Sequence, residues 1–162
     1  MKNAYLETIR LIERLHRQFL EVVKAELDRL GIKDINNVQS LILTNIGTDQ
    51  LTVGELTDRG YYLGSNVSYN VKKMVENGYL VQERSSFDRR AVQLRVSEKG
   101  LALCKHITAL YDRHAASLGT GPVSRTTLET TNATLRTLER FFAGHLAYGE
   151  KFDSRSLISN VA

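Results

Sequence analysis

The chain has 162 residues, of which 42% are hydrophobic, 7% aromatic and 25% charged, values that are ordinary for a globular protein with a buried core. Its net charge of +4 favours a nucleic-acid partner only weakly. The single cysteine, Cys104, excludes an internal disulfide and a cysteine-rich metal site. The chain has neither a long apolar run nor a signal-peptide pattern, which predicts a cytoplasmic protein without a membrane segment.

The first predicted element is a long amphipathic helix. Apolar residues recur at helical spacing from Tyr5 to Leu30, over about seven turns, and Gly31 is expected to end the helix. One side of a small core cannot cover a stripe of this length, so part of the helix is expected to pack on another chain. A second, shorter helix is predicted from about Asn36 to Ile46, before a break at Gly47.

Two more helices are predicted in the middle of the chain. Thr52 and Glu55 have the spacing of a capping box, which predicts a short helix that ends near Arg59. After a glycine-bearing turn, Ser65 is a good N-cap for a helix from Asn66 to Asn77. The buried face of that helix is predicted to carry four apolar residues, Val67, Val71, Met74 and Val75.

The apolar period then changes from that of a helix to that of a strand. Two strands are predicted, from Tyr79 to Arg84 and from Ala91 to Val96, around the charged tip "SSFDRR". Ser97 is expected to cap the following helix, and the segment "GTGPV" around Pro122 is expected to end it. A last helix is predicted from about Ser124 to Tyr148, ahead of a polar tail.

Two helices joined by a short glycine turn, and followed at once by a charged hairpin, form a winged helix-turn-helix pattern. The outer face of the second helix is rich in groups that hydrogen-bond base edges or contact phosphates. We therefore predict DNA contacts from six of its residues, Ser65, Asn66, Ser68, Tyr69, Lys72 and Lys73. Taken alone, the same face also fits a solvated amphipathic helix.

The hairpin strengthens the DNA interpretation. Arg89 and Arg90 at its tip are expected to enter the neighbouring minor groove or to contact phosphate. Asp88 is expected to orient the tip, and Arg84 at the base is expected to make a second phosphate contact. Charged surface turns are common, but an arginine tip directly after a helix-turn-helix is much less common.

Three motifs at fixed spacing carry a family resemblance, namely Gly78-Tyr79-Leu80, Asp88-Arg89-Arg90 and Ser97-Glu98-Lys99-Gly100. With them, the segment from Leu51 to Gly100 resembles the core of the MarR (multiple-antibiotic-resistance regulator) family, and the flanking helices fit in number and order. Gly54 and the Gly60-Tyr61-Tyr62 turn depart from the family pattern. That turn and the polar tail are similar to those of the alphaproteobacterial LdtR-like branch of the family.

Together, the pattern and the resemblance predict a mainly α fold with a small β-hairpin wing, in which a winged helix-turn-helix is flanked by dimerisation helices. The predicted parts are an N-terminal dimerisation helix at 1–33, a DNA-binding domain at 34–100, C-terminal dimerisation helices at 101–149 and a tail at 150–162.

The resemblance also implies three binding partners, namely a second copy of the chain, a pseudo-palindromic double-stranded DNA operator, and a small aromatic or anionic effector. The effector pocket is expected to be lined by His16, Thr44, Tyr61 and Tyr62. No cofactor is expected.

Other functions have less support in the sequence. Cys104 shares a helical face with Leu101, Ile107 and Tyr111, which favours a core position over an oxidant-sensing thiolate. The four histidines are scattered without cysteine or carboxylate partners at ligand spacing, so no metal is expected, and no enzyme motif is recognisable. A winged helix that binds protein instead of DNA stays open as the alternative.

Overall fold

The computed structural model describes residues 1–58, 64–84, 92–121 and 123–148. Within these ranges the chain is mainly helical with one small antiparallel sheet, which confirms the predicted fold class. The chain divides into two compact units, of which the first is Met1–Tyr111 and the second begins at Asp112. The elements in chain order are α1 (Lys2–Arg29), α2 (Asn37–Ile46), β1 (Leu51–Thr52), α3 (Val53–Asp58), α4 (Gly64–Glu76), β2 (Leu80–Arg84), β3 (Val92–Val96), α5 (Glu98–Gly119) and α6 (Arg125–Tyr148).

Local hydrogen bonds determine where α1 ends and where α2 begins. After α1, the Gly31 N–H donates to the Asp28 carbonyl at 3.0 Å. Gly31 has a φ of +70°, in the left-handed region that favours glycine, so it ends the helix as predicted. α2 begins in a capping box, where the Gln39 N–H donates to Asn36 Oδ1 at 2.8 Å and the Asn36 N–H donates to Gln39 Oε1 at 3.1 Å.

The start of α3 agrees with the sequence, and the start of α4 does not. The Thr52 N–H donates to Glu55 Oε2 at 2.6 Å, and the Glu55 N–H donates to Thr52 Oγ1 at 3.1 Å, which is the predicted capping box. α4 begins at Gly64, so the predicted N-cap at Ser65 is wrong and this residue lies in the first turn. Glycine enters a helix without steric conflict, and the first N–H groups of a helix need no partner within it. Residues 59–63, which include most of the predicted glycine-bearing turn, lie outside the described residues.

The sheet has the strand order β1-β3-β2, with all pairs antiparallel. β2 and β3 form the predicted hairpin, with Leu80 opposite Val96. β1 was not predicted, because two residues are too short to show an alternating pattern. It forms since β3 offers a free edge on which Leu51 pairs with Leu94, and both side chains are buried.

The core of the first unit draws apolar side chains from its helices and its sheet. Its most enclosed members are Val23, Ile42, Leu43, Ile46, Leu56, Val67, Met74, Leu94 and Ile107. From α1, Val23 and Leu27 are buried in this core and Phe19 packs against it. Five large apolar residues nearer the start of α1 are exposed, namely Tyr5, Leu6, Leu11, Ile12 and Leu15. This uncovered segment is the part of α1 for which the sequence predicts a second chain.

α6, in the second unit, also has an uncovered apolar stripe. The helix is capped at Ser124, whose Oγ accepts from the Thr127 N–H at 3.1 Å. Threonine is a poor helix former, and four threonine hydroxyls donate to the carbonyl four residues back, those of Thr130, Thr131, Thr134 and Thr137. The exposed large apolar residues of α6 are Leu128, Leu135, Phe142 and Leu146. Among the helices described here, none is both long and apolar enough to cross a bilayer.

Candidate nucleic-acid interface

α4 is held against the rest of the first unit by one apolar face. Val67, Val71 and Met74 are buried and Val75 is partly buried, as the spacing predicts. The helix packs against α2, α3 and β2. Burial of these aliphatic side chains fixes which side of α4 faces outward.

The outward side of α4 carries the residues for which DNA contacts are predicted. Asn66, Ser68, Tyr69 and Lys72 are exposed, and Lys73 is partly exposed. Tyr69 is 62% exposed although its ring is large and apolar. Ser65 lies in the first turn of the helix, but its side chain is outside the described part of the structure. The face therefore presents amide, hydroxyl and ammonium groups to solvent, as the sequence predicts.

Glu76 forms ion pairs with the two lysines at the C-terminal end of this face. Its carboxylate lies 2.8 Å from Lys73 Nζ and 4.0 Å from Lys72 Nζ. The hydrogen bond with Glu76 raises the pKa of Lys73, and the hydrogen bond from Lys73 lowers the pKa of Glu76. Lys73 is therefore an ammonium ion at neutral pH, and the side chains of Lys72 and Lys73 can each exchange the carboxylate for a phosphate.

A hydrogen bond between two side-chain amides joins α4 to α2. Gln39 is 6% exposed, and its Nε2 donates to Asn70 Oδ1 on α4 at 3.1 Å. The same Gln39 side chain closes the capping box at the start of α2. Because a buried amide without a partner is costly, this pair resists sliding of α4 along α2. Sequence inspection missed both residues, since nothing in the chain shows that they are neighbours.

The hairpin begins beside α4. Arg84, at the end of β2, is exposed and lies opposite Val92. Across the two strands, Arg95 donates from its Nε to Glu83 Oε1 at 2.8 Å, so an exposed ion pair links β3 to β2. The predicted tip residues Asp88, Arg89 and Arg90 lie outside the described residues.

The predicted effector residues are placed only in part. His16 is exposed on α1, and Thr44 is partly buried on α2. Tyr61 and Tyr62 lie outside the described residues. A cleft of about 380 Å³ beside α4 is lined by other residues, Val53, Ser68, Val71, Lys72, Val75, Glu76 and Gln82.

Cys104 occupies the core position that the sequence predicts. The residue is partly buried and packs on the core with Leu101 and Tyr111. Burial raises the pKa of the Cys104 thiol, an effect that a hydrogen bond with Thr44 partly offsets. A thiol with a raised pKa is a poor nucleophile toward oxidants. Among the described residues, no cluster of three or more histidine, cysteine, aspartate or glutamate side chains could hold a metal ion.

Comparison with known proteins agrees with the predicted resemblance to the MarR family. Residues 31–91 match the model of the MarR family. A relative, the exopolysaccharide II synthesis transcriptional activator ExpG of Rhizobium meliloti (strain 1021), is 39% identical over 146 residues, which cover 90% of this chain and 75% of ExpG.

Two solved structures share the fold. Streptococcus pneumoniae FabT in complex with DNA has a TM-score of 0.71 at 18% identity, and the likeness covers 86% of this chain and 97% of FabT. A mutant MarR from E. coli complexed with operator DNA has a TM-score of 0.68 at 19% identity, and the likeness covers 84% and 96%. The predicted resemblance to the LdtR-like branch rests on residues 60–62 and the polar tail, which lie outside the described residues, and it stays a prediction.

Proposed function

The chain belongs to the MarR family, and on this premise we propose that it is a dimeric transcriptional regulator that reads a pseudo-palindromic DNA operator. Each subunit contributes one recognition helix, α4, and one wing, the β2–β3 hairpin. The observation that carries the proposal is the division of α4 into a buried aliphatic face and an outward face of amide, hydroxyl and ammonium groups. A helix of this kind fits the major groove. FabT and MarR, which share the fold, were solved with DNA.

The outward face also separates the proposal from its alternative. A winged helix that binds protein would be expected to bury an apolar outer patch in the interface core. On α4 the exposed positions are polar or charged apart from the ring of Tyr69, which ends in a hydroxyl. DNA is therefore the better partner for this face. In this role the protein is cytoplasmic, lies on the nucleoid when bound, and carries out no enzymatic step.

Dimerisation would cover the two uncovered apolar stripes. Each stripe carries several exposed large apolar side chains on one helix, and contiguous exposed apolar patches often mark interaction sites. A second copy of the chain offers the same two stripes, so a symmetric pair can cover both. Two recognition helices in a dimer then read two half-sites about one helical turn of DNA apart.

Alanine substitutions in α4 test whether this helix reads base edges. The operator is first found by sequencing genomic fragments that the protein retains, including the promoter beside its own gene. Replacing Asn66 or Tyr69 with alanine should weaken binding to that operator by roughly 1–3 kcal/mol and leave binding to random DNA unchanged. Gln50→Ala is the matched control, because Gln50 is exposed and lies outside α4. An equal loss on operator and random DNA would show that these side chains do not read bases.

The wing is tested through the salt dependence of binding. Arg89→Ala should lower affinity for all sequences alike and reduce the log–log salt slope by about one, because one phosphate contact is lost. Arg90→Ala should also flatten the preference for A·T-rich flanks, since a narrow minor groove attracts an inserted arginine. Arg136→Ala removes the same charge from exposed α6 and serves as control. Unchanged slopes in both wing variants would leave the wing without a role in DNA binding.

We further propose a small aromatic or anionic effector that binds where α2 and the start of the helix-turn-helix meet the dimerisation helices. His16, Thr44, Tyr61 and Tyr62 are its expected contacts. A ligand that releases DNA must bind the DNA-free protein more tightly by the same factor. A panel of aromatic carboxylates should therefore contain a compound that raises the melting temperature of the free protein and weakens operator binding. The pocket is refuted if an active compound acts equally on the Thr44→Val variant.

A further inference from the structure

Three segments of the first unit meet at the C-terminal end of α4. Asp34 belongs to the connection between α1 and α2, Asn77 and Tyr79 to the turn after α4, and Lys99 to the first turn of α5. We call these four residues the Asp34 latch. Each of them bonds to at least one of the others, so the latch ties the recognition helix to α1 and α5.

Asp34 is the centre of these contacts. Its Oδ1 accepts from the Tyr79 hydroxyl at 2.6 Å, and its Oδ2 accepts from Lys99 Nζ at 2.5 Å. The Asp34 backbone carbonyl accepts from Asn77 Nδ2 at 2.5 Å. Lys99 Nζ also donates to the Asn77 carbonyl at 2.9 Å and lies 4.1 Å from the centre of the Tyr79 ring.

The latch is not needed to end α4. Gly78 has a φ of +77°, and its N–H donates to the Val75 carbonyl at 3.0 Å. The Tyr79 N–H donates to the Met74 carbonyl at 2.8 Å. These backbone bonds already cap the helix as a glycine turn does. The side chains of the latch therefore do a second job, which is to hold the capped end of α4 at a fixed place.

The members of the latch differ in burial. Tyr79 is 2% exposed, so its ring cannot turn without disturbing the core, and its buried hydroxyl needs a partner. The side chains of Asp34 and Lys99 are each 48% exposed. Lys99 and Tyr79, by their hydrogen bonds, lower the pKa of Asp34, which keeps the carboxylate charged at neutral pH.

The latch thus lies between the surface proposed to read DNA and the helix proposed to hold the dimer together. α1 ends just before Asp34, and its uncovered stripe begins at the other end of the same helix. The distance between the two recognition helices of a dimer depends on how each α4 is directed relative to its own α1. A fixed distance between recognition helices selects a fixed half-site spacing in the operator.

We propose that Asp34 is a positioning residue that fixes the direction of α4 relative to α1 and thereby sets the half-site spacing that the dimer accepts. Asp34 contacts no base or phosphate in this role and acts through Tyr79 and Asn77. The inference rests on the proposed function, since it needs a dimer that reads two half-sites.

The test uses the full chain and a set of operators whose central spacer is shortened or lengthened by one or two base pairs. Wild-type protein should prefer one spacing by about tenfold or more, because a one-base-pair change moves and rotates a half-site on the duplex. Asp34→Asn and Tyr79→Phe should reduce this preference to about threefold or less. Their affinity for random DNA and their salt slopes should stay as in wild type.

Asp28→Asn is the matched control, because Asp28 is exposed on the last turn of α1 and its loss changes the net charge by the same amount. Tyr79→Phe removes only one hydroxyl, so it keeps the test valid even where Asp34→Asn folds poorly. A uniform loss of affinity at every spacing would mean that the latch only stabilises the fold, and it would overturn the inference. A wild-type protein without any sequence preference would instead overturn the proposed function itself.

Discussion

Gly100 has no room for a side chain, and this makes Gly100→Ala a sharp test of the packing between α5 and the turn after α4. A Cβ at this position would lie 2.5 Å from the Tyr79 carbonyl oxygen and 2.5 Å from Val96 Cγ1. The first of these atoms belongs to the backbone next to a buried side chain and cannot swing away. To admit one methyl group, α5 or the end of α4 has to move.

Two opposing effects determine how much Gly100→Ala changes the free energy of unfolding. Forcing extra atoms into a filled core costs typically 1–3 kcal/mol, and a contact of 2.5 Å with a fixed carbonyl belongs at the upper end of this range. Replacing a helical glycine with alanine gains at most about 1 kcal/mol from helix propensity. The packing cost is the larger effect, so Gly100→Ala should destabilise the protein by about 2 kcal/mol and lower its melting temperature by about 4–8 °C.

Urea unfolding followed by circular dichroism measures this difference. All samples need the same protein concentration, because association makes stability concentration-dependent. Gly54→Ala is the control, since the nearest atom to its added Cβ would be Thr52 Oγ1 at 3.8 Å. It should stabilise the protein by about 0.4–1 kcal/mol. A Gly100→Ala variant that unfolds at the wild-type urea concentration or above would refute the reasoning.

Three further predictions follow from other parts of the molecule. Native protein should react with iodoacetamide at Cys104 much more slowly than urea-unfolded protein, because burial raises the thiol pKa; equal rates would contradict the core position. The pKa of Asp34 is lowered in the folded state, so its contribution to stability is present above the unfolded pKa of about 4 and is lost as pH falls further. Between about pH 5 and pH 3, the free energy of unfolding of Asp34→Asn should therefore fall less than that of wild type. An equal fall in both proteins, measured by urea unfolding at each pH, would contradict this account. Removing residues 1–20 should give a monomeric or insoluble protein, and a well-folded monomer in sedimentation would contradict the dimer.

Local signals made much of the fold predictable from the sequence. The spacing of Val67, Val71 and Met74 fixed the buried side of α4, and with it the polar side that faces outward. Thr52 and Ser97 cap their helices through bonds to residues three positions ahead, so each cap is readable in a window of four residues. Such features need no knowledge of the rest of the chain.

Features that depend on distant partners were missed. β1 exists only because β3 pairs with it, and its two residues have no pattern of their own. Asp34 and Lys99 are 65 positions apart, and each reads as an ordinary surface charge until the fold brings them together. The DNA contacts of α4 and the wing and the effector pocket stay predictions, because they concern partners of the chain and not its own packing.

The uncovered stripe at the start of α1 also has a consequence for how the protein responds to its own abundance. If a second copy covers the stripe, the form that reads an operator contains two chains. When free chains are mostly single, the amount of this form rises with the square of the chain concentration, so doubling synthesis gives about four times as much. Operator occupancy would then change more steeply than expression of the gene. The apolar residues of one helix would in this way set the threshold of a genetic switch.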